Sequence, residues 1–217
     1  MDQLTVFTTV LGYTDPLHEP PSNSKARFIC FTDCDIQSKG WQLVKIEPQK
    51  APKRLSKQIK ALSHLYLHTE WSLWIDCCFD CLVPPESLVG YGEFVTFKHK
   101  DRSNVYDESR AVIKLKKAKA ETVKRQMRIY TSAGFPVQST LPNGLSNNGA
   151  VLRRHTDKIC AINDSWGREL ATHSLRDQLS LDFVLWQHQY THQRWPGTYD
   201  KNPYFKFNAY RRPVNDF

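Results

Sequence analysis

The chain has 217 residues, 40% hydrophobic and 24% charged, with 30 Lys and Arg against 22 Asp and Glu and a net charge of +8. That composition excludes a disordered chain, a collagen-like repeat and a disulfide-stapled miniprotein, and the length suits one hydrophobic core. No run of about 18 apolar residues is present, and Asp2 stands where a secretory leader would be positive, so a cytoplasmic location is expected.

Strand and helix patterns then alternate. LTVFTTVL at 4–11 is an apolar, β-branched run that reads as a first strand, followed by a turn at GYTDP, 12–16. ARFICFTD at 26–33 and WQLVKIE at 41–47 predict the second and third strands. In KRLSKQIKALSHLYL, 53–67, Leu55, Ile59, Leu62 and Leu65 recur at helical spacing, which puts Arg54, Lys57 and Lys60 on other faces. WSLWID at 71–76 is nearly all apolar, as in the buried middle of a sheet. EFVTFKH at 93–99 predicts a fifth strand, 115–133 a helix stopped by Gly134, NGAVLRRH at 148–155 a sixth strand, and SLRDQLSLDFVLWQH at 174–188 a late helix. The aromatic, basic tail at 191–217 is expected to strap across a core spanning about 4–190. The order predicts a single α/β domain, 1–217, with a central mixed, mostly parallel sheet flanked by helices.

Ligands of such a sheet sit outside the carboxyl ends of its strands. The polar residues there are Thr9 and Tyr13 after the first strand, Asp33 after the second, Asp76 after the fourth, and His99 with Arg102 after the fifth. No dinucleotide fingerprint, P-loop or GxSxG elbow occurs, which counts against ordinary dinucleotide, ATP and α/β-hydrolase chemistry.

LWIDCCFDCLVPP, 73–85, carries two carboxylates, Asp76 and Asp80, and three thiols, Cys77, Cys78 and Cys81. Either set could hold a metal. Strand-end carboxylates suit Mg²⁺ or Mn²⁺. Cys78 and Cys81 with Cys30 and Cys34 would make a four-thiolate zinc set. Cys30 lies inside an apolar strand and neither pair has a knuckle Gly or Pro, so packing is the expected role of the thiols.

Segment 98–128 holds eleven Lys or Arg against four Asp or Glu, which accounts for +7 of the +8. It reads either as the footprint of a polyanionic partner or as a solvated helix face.

The ordered blocks RLSKQIKALSHLYL, WSLWIDCCFD, FKHKDRSNVYDESRAV, QMRIYTSAGFP, GLSNNGAVLRRH and RDQLSLDFVLW resemble a glycosyltransferase-like family first catalogued as a domain of unknown function. Its members include plant mucilage- and turgor-related and bacterial polysaccharide proteins. The resemblance, over roughly 5–190, implies a GT-A fold, a nucleotide-sugar donor, most readily a UDP-sugar, and often divalent Mn or Mg. It places Asp76 where such enzymes begin an Asp-x-Asp, with Cys78 at the second carboxylate position. Asp76 and Asp80 are the expected metal ligands if the chain bends after Cys78, or Asp76 alone would hold the ion, with waters and the diphosphate filling the shell. Arg54 and Lys57 fall where diphosphate contacts are expected.

The RDQLS block resembles a helix-start segment facing the donor sugar. It makes Arg176 and Gln178 donor contacts, and Asp177, with Asp76, the expected catalytic carboxylates. Ser174 and Asp177 equally fit a helix N-cap and first-turn acid. His99, Arg102 and His155 are expected to line the acceptor side of the cleft.

Two classes of function stay open: a sugar transferase, or a basic nucleic-acid-binding module or hydrolase on the same scaffold. For the transferase, the acceptor is either a polysaccharide or lipid-linked glycan, or DNA carrying hydroxymethylated bases bound through 98–128. Tyr204, Phe205 and Tyr210 would then stack an extruded base. Lys116, Lys117 and Lys119 are expected to lie away from the diphosphate.

Overall fold

The computed structural model describes residues 4–13, 16–136 and 144–209. Its strands are β1 (Leu4–Val10), β2 (Arg27–Thr32), β3 (Gln42–Lys45), β4 (Trp71–Ile75), β5 (Phe79–Cys81), β6 (Phe94–Lys98), β7 (Ser146–Arg154), β8 (Gln193–Thr198) and β9 (Phe205–Phe207). Seven of them form one sheet in the order β3-β2-β1-β4-β7-β6-β8, while β5 and β9 pair separately. β7 runs antiparallel to both β4 and β6, and the other described pairings of the large sheet are parallel. β1, β4 and β6 therefore end on one edge. Every residue of β1 is buried, because it pairs with β2 on one side and β4 on the other.

The helices are α1 (Pro52–Ala61), α2 (Ser63–Tyr66), α3 (Val105–Lys114), α4 (Ala120–Ser132), α5 (Asp157–Thr172) and α6 (Leu181–Gln187). Ile59 of α1, Ile159, Ile162, Trp166 and Leu170 of α5, and Leu181 and Val184 of α6 close over Phe7, Phe31, Trp74 and Val151 on one face of the sheet. The other face is covered by Trp41, Leu88, Trp195 and the β5–β9 ribbon, with Phe79 and Phe205 packed into the core. α3 and α4 build a third cluster with α6, in which Tyr130 stacks on Phe183 at 3.7 Å between ring centroids.

The α/β class and the mostly parallel mixed sheet are as expected, but four local readings need correction. The helix expected over 53–67 breaks at Leu62 and restarts as α2, which turns Leu65 out to 61% exposure. The helix expected from 115 begins at Ala120, after a turn in which Lys116 takes a left-handed φ of 51°. The late helix opens as a short 3-10 turn, Asp177–Leu179, before α6. α3, α5, β5, β8 and β9 carry no assignment in the sequence reading.

For α5 the signal was present, since Ile159, Ile162, Trp166 and Leu170 keep helical spacing. A Cβ on Gly167 would stand 2.6 Å from Leu62, so its bare backbone is what lets α5 close on the α1–α2 junction. No helix among the described residues is long and apolar enough to cross a membrane.

Candidate functional site

The expected helical face of α1 omits a second, polar stripe: Ser56, Lys60 and Ser63, spaced by four and three residues. Ser56 Oγ lies 2.6 Å from Thr9 Oγ1 at the end of β1, and Ser63 is fully buried. Lys60 is 1% exposed, not solvated. Its ammonium donates to Asp177 Oδ2 at 2.6 Å and to Asp76 Oδ1 at 3.4 Å, and sits 5.2 Å from the centroid of the Trp74 ring. Trp74 Nε1 donates to the same Asp76 oxygen at 2.8 Å. Lys57, one turn earlier, reaches Asp177 Oδ2 at 3.1 Å.

Buried Arg153 of β7 fixes the end of α1 that carries Lys60. Its guanidinium donates to the carbonyls of Lys60 (2.6 Å) and Ala61 (2.9 Å) and to Asn163 Oδ1. A cation at the C-terminal carbonyls satisfies acceptors that the helix itself leaves open.

Asp177 is held by its own turn, in which Ser174 Oγ accepts from Arg176 N and Leu179 is buried among Tyr106, Tyr130 and Phe183. Its side chain points to the lysines instead of capping the following helix. Burial alone would raise its carboxyl, but Lys57, Lys60 and Arg176 hold it far below the usual carboxylate range. Burial works against charge on Lys60, yet Asp177 and Asp76 outweigh it and keep the ammonium above the ordinary lysine range. On Lys57 burial wins, helped by the repulsion of Lys60 and Arg176, so its ammonium is weakened. Asp177 is thus a buried carboxylate paired with two lysines, whereas Asp76 keeps 38% of its side chain exposed.

The same edge continues past β6. His99 Nδ1 accepts from the backbone of Asp101 and Arg102 at 3.2 Å each, and Arg102 pairs through Nε with buried Glu108. Burial lowers the His99 imidazole, and Glu108 opposes that only in part. Lys117, exposed after α3, has its ammonium weakened by partial desolvation and by the charges of Arg176 and Arg102. Lys57, Lys60, Arg102 and Arg176 meet Asp76, Glu108 and Asp177 at this edge.

A model of the TOD1/MUCI70 glycosyltransferase-like domain matches residues 31–201 of this chain. The chain belongs to that family. No curated protein matches it. The matched span contains Lys57, Lys60, Asp76, Arg176 and Asp177, whereas β1, with Thr9, precedes it.

Of the remaining expected residues, some reach this edge of the sheet and others do not. Thr9 and Asp33 stand at the site edge, where Asp33 Oδ1 accepts from Gly12 N at 2.8 Å and Cys34 Sγ donates to the Tyr13 carbonyl, tying the loops after β1 and β2 together. Gly12 takes a φ of +74°, and a Cβ there would strike Pro52 at the start of α1. Gln178 is half-buried on the Asp177 turn.

Arg54 and His155 are not brought to the cluster. Arg54 is exposed and donates to the Ala171 carbonyl of α5. His155 follows an antiparallel strand, so it lies at the opposite edge, where Ser63, Ser72 and the Thr69 carbonyl hold it. Burial brings its imidazole down to about 4.

Asp80 is on β5, paired with Lys206 of β9. Asp76 Oδ1 accepts from Trp74 Nε1 and Lys60 Nζ, and the Lys60 ammonium reaches both Asp76 and Asp177. Among the described residues no group of three His, Cys, Asp or Glu side chains could hold a metal. The thiols pack: Cys30, Cys77 and Cys81 belong to the core, and burial pushes Cys30 and Cys81 up to about 12.

Asn148 is the residue of this edge that sequence reasoning passed over. It is 1% exposed and neither amide atom has a hydrogen-bond partner. It adjoins Gly149, whose carbonyl accepts from Asp76 N at 2.8 Å. A cavity of about 500 Å³ lined by Ser165, Arg168, Glu169, His173 and His188 lies between α5 and α6 and shares no residue with the Lys60 cluster.

Proposed function

We propose that the chain transfers a sugar from a nucleoside-diphosphate donor, a UDP-sugar first, to a hydroxyl acceptor. The observation that carries this reading is the gathering of Lys57, Lys60 and Arg176 around Asp177 beside half-exposed Asp76, at the edge of the sheet where ligands of such folds bind. Fixed cations stabilise the charge that grows on the departing diphosphate, and do so at no reorganisation cost because Asp177 already holds two of them in place. Asp76 accepts a hydrogen bond or proton from a sugar or acceptor hydroxyl. Thr9, Asp33 and Arg176 lie where the nucleoside and diphosphate would approach.

The acceptor we favour is a polyanion, with hydroxymethylated DNA the specific candidate. Ten of the eleven basic residues of 98–128 are exposed, and Arg102, paired with Glu108, stands where that segment begins beside the site edge. The tail aromatics do not add to this reading: Phe205 is core, Tyr204 bonds to Tyr91, and Tyr210 lies outside the described residues. Incubation with UDP-sugars and either hydroxymethylated DNA or a neutral glycan tests the proposal, with sugar incorporation as the readout. Transfer to DNA that fades with rising salt is the expected result. Transfer to the glycan alone would replace the acceptor, and failure to bind any nucleoside diphosphate would overturn the transferase reading.

A further inference from the structure

The carboxylate expected to begin a metal site, Asp76, is bridged here to Asp177 by a lysine. Lys60 Nζ lies between Asp177 and Asp76, and with Trp74 Nε1 also on Asp76 Oδ1 the nearest carboxylate oxygens are engaged. Lys57 shares Asp177 with Lys60, so two lysines balance the two carboxylates, Arg102 is matched by Glu108, and Arg176 adds a further cation on the Asp177 turn. Arg176 Nε and both amide atoms of Asn148 are buried without partners. Leaving such groups unmet costs free energy that a polar anionic ligand would recover.

We propose that this chain binds the diphosphate of its donor without a divalent cation: Lys60 occupies the side of Asp76 that faces Asp177, and Lys57 and Arg176 supply the charge that meets the phosphates. The inference rests on the nucleotide-sugar reading above and adds to it the source of the neutralising charge. Lys57 keeps a quarter of its side chain exposed, and Arg176 is half-buried on the Asp177 turn.

The test is calorimetric, on the full chain stripped with EDTA. UDP, GDP, CDP and TDP are titrated in EDTA and again in excess MnCl₂, and MnCl₂ is titrated alone. The expected result is an affinity for one nucleotide that agrees within about threefold between the two conditions, with no stoichiometric binding of Mn²⁺ alone. Binding that appears or tightens by about tenfold or more with Mn²⁺ overturns this inference and leaves the transferase reading standing. No binding of any nucleotide in either condition overturns both. Two variants with partly exposed side chains, Lys57→Met and Arg176→Met, give an independent check. Each is expected to weaken nucleotide binding in EDTA by about three- to tenfold, and unchanged affinity in both overturns the assignment of the phosphate contacts.

Discussion

Lys60 and Asp177 are 117 residues apart in sequence and 2.6 Å apart in space. Their ion pair joins α1 to the turn before α6 across the edge of the sheet. Both partners are nearly removed from water, so neither can lose the other cheaply.

The first consequence concerns stability. Asp177→Asn leaves Lys57 and Lys60 facing each other with only Asp76 nearby, and unfolding free energy is expected to fall by about 3–5 kcal/mol. Urea denaturation of the two proteins at neutral pH measures this. A loss below about 1 kcal/mol would mean that the pair is not held as described.

The same pair sets a pH dependence. The folded-state carboxyl of Asp177 is depressed, so its contribution is fully present above the unfolded value of about 3.9 and drains away as pH falls below it. Wild-type stability is expected to drop on acidification through that range, with a shallower drop in Asp177→Asn. Parallel denaturation curves between neutral and strongly acid pH would contradict it.

Asp76 and Asp177 should differ in function. Asp76 is the carboxylate open to substrate, so Asp76→Asn is expected to reduce transfer by a factor of about 10²–10⁴ while nucleotide affinity changes little. Steady-state kinetics beside calorimetry separate the two. A variant that turns over normally would move the reacting carboxylate elsewhere.

The thiols of the CxxC predict little chemistry. Cys81 donates to the Val83 carbonyl from inside the core, and Cys78 packs against the same cluster. A Cys78→Ala, Cys81→Ala double variant should keep its fold, lose about 1–2 kcal/mol, and bind nucleotide as the wild type does. Stoichiometric zinc in purified wild-type protein, absent from the variant, would reverse this assignment.

The basic segment predicts a salt-sensitive partner. Glutamate at Lys116, Lys117 and Lys119 is expected to weaken DNA binding and flatten its salt dependence without touching nucleotide affinity. Unchanged DNA binding would return these lysines to a solvated surface.

The sequence alone determined the β-strands with nearly continuous apolar or β-branched runs, because β1 and β4 are buried on both faces, where a polar residue such as Ser72 needs a hydrogen-bond partner. It likewise placed Asp76 and Asp33 just past strand ends, since a polar residue closing such a run marks the edge where the strand meets solvent, whereas Thr9, expected after the first strand, lies buried within β1. It did not reveal that β7 runs antiparallel. Strand direction is fixed by how the connections pack, and for that reason His155 was expected at the wrong edge.

The fate of a charged side chain was also a tertiary matter. Lys60 reads as a solvated helix face like its neighbours, and only the approach of the Asp177 turn, over a hundred residues later, gives it the partner that makes burial of an ammonium affordable.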